Sequence, residues 1–186
     1  MTGTIQVLAI CGSLRKGSFN HMAMRAAFAH APDGMRFSEG LIGDIPLYNE
    51  DIREQGDPPA VALLKQQVKD ADALLFVTPE YNYSVPGVLK NAIDWVSRPP
   101  ATQPFDGKPV AILGASAGLM GTSRSQQHLR QTLMSLNMLP VNKPEVLIAQ
   151  AAGKFAEDGS LKDEATGKFI GQLMQALYDW TVRLKG

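Results

Sequence analysis

Four short, almost continuously apolar runs are the feature that most narrows what this chain can fold into. They are Ile5 to Cys11 (IQVLAIC), Ala73 to Val77, Val110 to Leu113 and Val146 to Ala149, and Met35 to Leu41 is a weaker fifth. A strand that is apolar on both faces belongs inside a parallel sheet, with helices covering each side. The segments between the runs carry helical spacing. Ser18 to His30 places Met22, Ala23, Ala26 and Ala27 on one face, and Pro58 to Ala71 groups Val61, Leu64 and Val68. Val88 to Val96 aligns Leu89, Ala92, Ile93 and Val96, while Thr122 to Asn137 aligns Leu129, Leu133 and Leu136. Thr166 to Leu184 aligns Ile170, Leu173, Leu177 and Leu184. Strands alternating with helices predict an α/β fold, a doubly wound parallel sheet of five strands with helices on both faces.

Five strands and five helices in 186 residues fit one flavodoxin-like domain spanning residues 1–186. Lys+Arg and Asp+Glu are 18 each, so no basic excess points to nucleic acid. One cysteine excludes an internal disulfide, and three scattered histidines argue against a metal site. No run is long enough to span a bilayer, and the N-terminus lacks a signal-peptide pattern. The expectation is a cytoplasmic protein without a membrane or nucleic-acid partner. Gly43 to Pro59 and Ser97 to Lys108 read as surface loops.

In doubly wound sheets, ligands sit outside the carboxyl ends of the strands, where the strand order reverses. Three loops fall there. The first, Gly12 to Asn20 (GSLRKGSFN), joins a buried strand to a helix. Its backbone N–H groups and the helix N-terminus suit an anion, most naturally a phosphate. Ser13, Ser18 and Asn20 add polar side chains, and Arg15 adds a charge. The loop is not a P-loop, because Ser18 stands where that pattern needs Lys. The dinucleotide G-x-G-x-x-G pattern is absent too, with Glu39 near the end of the second strand as its only echo. The plainer reading is a strand-to-helix turn with Ser18 as N-cap. Cys11 reads as a core thiol rather than a nucleophile.

The second loop, Thr78 to Pro86 (TPEYNYSVP), is stiff, polar and aromatic. Its peptide groups suit the edge of a flat ring, with Tyr81 and Tyr83 able to flank it. Against that stands a structural turn with packed tyrosines and a solvated Glu80. Trp95, on the following helix, reads as a packing or interface residue. The third loop, Gly114 to Ser123, carries Gly114, Gly118 and Gly121, which permit close backbone approach, and Ser116, which can donate a hydrogen bond. Thr122 or Ser123 is expected to cap the next helix. His128, on that helix, has no partner nearby in sequence.

Together the three loops resemble the NADPH-dependent FMN reductase family, which includes bacterial quinone and chromate reductases. The stretches that carry the likeness are Gly12 to Asn20, Pro79 to Trp95 (PEYNYSVPGVLKNAIDW) and Gly114 to Gly118. The resemblance implies a flavodoxin-like fold with non-covalent FMN and with NADPH or NADH as electron donor. It places Ser13, Leu14, Arg15, Gly17, Ser18, Phe19 and Asn20 about the phosphate. Pro79, Glu80, Tyr81, Asn82 and Tyr83 would line the isoalloxazine ring, with Ser116 on its other side. It also implies a homodimer or homotetramer, with Trp95, Arg124 and Glu145 as interface residues. The chemistry implied is hydride transfer from NAD(P)H, then delivery of two electrons to a small acceptor: a quinone, flavin, azo compound or metal oxyanion such as chromate. No catalytic side chain is called for, because the flavin carries the reaction. The alternative is a flavodoxin-like electron carrier or redox sensor with little turnover, against which the balanced charge argues mildly. A nucleotide hydrolase is disfavoured by the missing P-loop Lys.

Overall fold

A computed structural model describes residues 3–186. The first half of the chain forms β1 (Ile5–Cys11), α1 (Phe19–Ala29), β2 (Met35–Glu39), α2 (Glu50–Glu54), α3 (Pro59–Asp70) and β3 (Ala73–Val77). The second half forms α4 (Gly87–Val96), β4 (Pro109–Ala115), α5 (Ser123–Ser135), β5 (Leu139–Pro140), β6 (Val146–Ile148) and α6 (Glu164–Lys185). The strands pair in parallel in the order β2-β1-β3-β4-β5. The order reverses between β1 and β3, so the switch-point crevice opens above these two strands.

The alternation of side chains along each strand builds two cores. Val7, Ala9 and Cys11 of β1, with Leu75, Val77 and Leu113, pack under α1 and α6. Leu8 and Ile10, with Leu74, Phe76 and Ile112, pack under α3, α4 and α5. β3 is buried at all five positions, which is why its sequence shows no polar alternation. Each fully buried Leu, Ile or Phe contributes roughly 1.5–3 kcal/mol relative to exposure.

Three details depart from expectation. The fifth strand is broken: β5 pairs with Pro109 and Val110, and β6 resumes on β4 at Leu113 to Ala115. Pro140 and Pro144 bracket the break, and neither offers an N–H to continue a ladder. The expected loop Gly43 to Pro59 contains α2, whose N-cap Asn49 accepts from the Asp51 N–H at 2.9 Å. Finally, Leu136 lies beyond the end of α5 and is only partly buried. No helix among the described residues is long and apolar enough to cross a membrane.

Candidate active site

The three loops converge above β1, β3 and β4, and two glycines show how closely. A Cβ on Gly12 would lie 3.1 Å from Leu89 Cδ2 and 3.2 Å from Pro79 Cδ, so the first loop packs directly on the second. A Cβ on Gly114 would lie 2.2 Å from both the Thr78 carbonyl oxygen and Thr122 Oγ1, so no side chain fits where the third loop begins. Thr78 is fully buried, and its hydroxyl meets Ser125 Oγ at 2.9 Å.

In the first loop, Ser18 caps α1, its Oγ accepting from the Asn20 N–H at 3.1 Å. Ser13 and Ser18 are buried, whereas Leu14, Arg15 and Gly17 are exposed. The Ser13 carbonyl accepts from His21 Nε2 at 2.8 Å, which fixes the loop against the first turn of α1. The N–H groups of Gly17 and Phe19 have no partner among the described residues. Nothing lies within 4 Å of a Cβ placed on Gly17. Free donors, a helix N-terminus, open space and the Arg15 guanidinium together fit a phosphate. The Phe19 ring instead stacks on Phe155, centroids 6.1 Å apart, so its side chain belongs to packing.

Asn20 also has a structural role. It is buried, its Nδ2 donates to the Ala115 carbonyl at 2.9 Å, and its Oδ1 accepts from the Ala115 N–H at 2.9 Å. This amide clamps α1 to the end of β4 and so ties the first loop to the third. A strand end with an unpaired N–H and C=O needs such a partner.

In the second loop, Tyr81 and Ser84 exchange backbone hydrogen bonds at 3.1 and 3.0 Å, closing a two-residue turn. Asn82 and Tyr83 occupy the left-handed region at φ 49° and 68°, as a type I′ turn requires. Pro79 is buried, while Tyr81, Asn82 and Tyr83 are exposed. Glu80 is not a solvated acid. Its carboxylate is 8% exposed and pairs with the Arg124 guanidinium. It also accepts from the Arg124 and Ser125 N–H groups at 3.0 and 3.3 Å. Glu80 therefore caps α5 from another loop, and its hydrogen bond, with its charge, holds the Arg124 guanidinium above its usual pKa. Thr122, the expected cap, sits at φ 70° and makes no side-chain cap; its Oγ1 accepts from Gln126 at 3.1 Å. The Arg124 guanidinium lies 3.6 Å from the centre of the Tyr83 ring. Ser84 Oγ and His128 Nδ1 are 3.0 Å apart, which gives His128 a partner after all.

These links are what reading along the chain missed. One signal was available: α5 has no acidic residue in its first turn, so its N-terminus needed an anion from elsewhere.

In the third loop, Ser116 Oγ accepts from the Gly118 N–H at 3.1 Å, leaving its hydroxyl hydrogen free. Gly118 has only that oxygen near its Cβ position, at 3.6 Å, so a flat ring has room beside it. The residues present thus fit FMN, with phosphate donors at one end and a stiff polar platform at the other. Trp95, by contrast, is wholly buried: its Nε1 donates to the Pro46 carbonyl at 2.8 Å and its ring meets Tyr48 edge-on. It is a packing residue and has no surface to offer a partner subunit. Arg124 is engaged by Glu80, and Glu145 accepts from Gln127 at 2.9 Å. Cys11 is a core thiol as expected: burial pushes it up to about 11, opposed by the Ser13 N–H and aided by Glu39.

The model of the NADPH-dependent FMN reductase family matches residues 5–153, which include all three loops. The chain belongs to that family. It is 55% identical over 186 residues to an NAD(P)H-dependent FMN reductase of Pseudomonas aeruginosa, with 100% of both chains covered. It is 45% identical over 186 residues to the quinone reductase of Escherichia coli K12, covering 94% of this chain and 98% of that one. Among solved structures, the flavoenzyme NAD(P)H:(acceptor) oxidoreductase of Paracoccus denitrificans superposes with a TM-score of 0.89 at 39% identity, covering 96% of this chain and 98% of that one. This FMN reductase family member is accordingly an NAD(P)H-dependent oxidoreductase with FMN as its cofactor.

Proposed function

We propose that this cytoplasmic, homo-oligomeric enzyme reduces quinones, with NAD(P)H as donor and FMN held non-covalently in the crevice. Bound FMN supplies the chemistry, accepting a hydride from the donor and passing two electrons to the acceptor. The protein's part is to bind and orient. The Gly17 and Phe19 N–H groups, the Ser13 and Ser18 hydroxyls and the exposed Arg15 take the phosphate. The Pro79 to Tyr83 backbone and the Ser116 hydroxyl address the ring edges, and Tyr81 and Tyr83 border the space where donor and acceptor alternate. The positive end of the backbone dipole at the start of α1 favours added negative charge in the crevice, whereas that of α5 is already met by Glu80. The observation that carries the reading is the set of unpartnered donors in the first loop facing a rigid aromatic turn. The 45% identity to a quinone reductase supports a quinone among the possible acceptors.

The test is an anaerobic absorbance titration of the purified protein with NADH and NADPH, followed by quinone addition. Flavin bands that bleach with a donor and return with the quinone, together with parallel double-reciprocal lines, are expected. A flavin that bleaches but fails to reoxidise with any quinone overturns the acceptor. A flavin that resists both donors supports the electron-carrier alternative, and a protein that takes up no FMN overturns the whole assignment.

A further inference from the structure

A second cavity, of about 230 Å³, opens between the first loop and the end of β2. Its apolar walls include Leu14, Met24, Leu41 and Ile42, and its rim carries the carboxylates of Glu39 and Asp44. Leu14 also reaches across to the β2 side: a Cβ on Gly43 would lie 3.4 Å from its Cδ2. The volume is below the roughly 300–1,000 Å³ of pockets that enclose a whole drug-sized ligand, so it suits a fragment such as a nucleoside. Leu41 is 75% exposed and Leu14 59%, which leaves two large apolar side chains at the opening with nothing to cover them.

Glu39 makes the chemistry specific. It is the last residue of β2, paired in register with Ala9 of the neighbouring β1. Its carboxylate has no hydrogen-bond or ion-pair partner among the described residues. In doubly wound nucleotide-binding folds, an acid at the end of the strand beside β1 accepts the hydroxyls of a ribose. Here the same placement occurs without the Gly-rich sequence pattern. No Lys or Arg lines the cavity, so a ribose with free 2′ and 3′ hydroxyls is welcome and a 2′-phosphate meets two like charges.

We propose that this cavity seats the adenosine end of the electron donor and that Glu39 makes NADH the preferred donor over NADPH. The inference rests on the proposed donor chemistry. Ser13 and Leu14 line the cavity and also belong to the phosphate loop, so the cavity adjoins the phosphate end of the flavin site.

The test has two readouts. In the first, the flavin-loaded protein is titrated by calorimetry with AMP and with adenosine 2′,5′-bisphosphate. AMP is expected to bind about tenfold more tightly, and Glu39→Gln to erase most of that difference without changing the flavin spectrum. In the second, kcat/KM for NADH relative to NADPH is expected to exceed about ten and to fall several-fold in Glu39→Gln. Reduction by nicotinamide mononucleotide in its reduced form, which lacks the adenosine, should be the same in both proteins. Equal binding of the two adenosine phosphates, no binding of AMP, or an unchanged donor ratio in Glu39→Gln overturns the proposal. Bleaching by NADH without AMP binding removes this site alone. AMP binding by a protein whose flavin no donor bleaches removes the proposed activity and leaves the site standing.

Discussion

The first loop keeps several donors free, with the Gly17 and Phe19 N–H groups and the Arg15 guanidinium unengaged among the described residues. The second loop commits its charge and its turn: Glu80 to Arg124 and the start of α5, Ser84 to His128, and the Tyr81 backbone to that of Ser84. Both border one crevice. The contrast follows from what each must hold. A phosphate is bound by donors that the protein has not already used, and the ligand itself completes them. A flat ring has few hydrogen-bonding atoms, so its platform must be rigid before the ring arrives. Removing a side chain from the first loop should therefore weaken ligand binding, and removing one from the second should weaken the fold.

The clamp between the first and third loops tests the boundary of that contrast. Asn20→Ala leaves the buried N–H and C=O of Ala115 without partners, and a loss of about 2–5 kcal/mol is expected in urea unfolding of the flavin-free protein. A loss below about 1 kcal/mol would show that the clamp is not structural. Glu80→Gln, in the second loop, removes a charge-assisted cap and ion pair in a largely buried setting. It should lower stability by about 2–3 kcal/mol, measured in the same way, with the loss shared by Arg124→Ala in a double-mutant cycle. Full additivity of the two would break the picture of a single locked unit.

Arg15→Ala should do the reverse. FMN affinity, followed by fluorescence quenching, should drop by about 1.5–3 kcal/mol, while unfolding of the flavin-free protein stays unchanged. Equal affinity with and without the guanidinium would remove Arg15 from the phosphate site. The smallest effect belongs to the exposed end of the hairpin. His128→Ala removes one solvent-facing hydrogen bond to Ser84 and should change stability by no more than about 0.5–1 kcal/mol. A larger thermal shift would mean that this contact anchors the whole turn.

The fold was legible where its signals are local. Apolar runs such as Ala73–Val77 and stripes such as Leu89, Ala92, Ile93 and Val96 announce buried strands and one-sided helices within a few residues. Ser18 announced its own cap for the same reason. What escaped was non-local or slight. Asn20 meets Ala115 across 95 positions of chain, and Glu80 meets Arg124 across 44, so no window of sequence contains either pair. Four of the five residues of α2 are charged and its Ile52 is exposed, so it has no buried face to betray it. Leu139 and Pro140 make a two-residue strand, too short for any alternation. The three loops could be found by their place in the strand order, with glycines marking the first and third and prolines and tyrosines the second. The division of labour among their side chains could not.

The turn at Asn82 and Tyr83 holds two consecutive residues in a backbone conformation that glycine would occupy with less strain. The tyrosine ring offsets part of that strain by lying 3.6 Å from the Arg124 guanidinium, which ties the turn to the start of α5. For protein engineering, the exposed Tyr81 side chain, which has no partner among the described residues, is where new acceptor preferences can be searched, and Asn20, Glu80 and Tyr83 are the positions to leave alone.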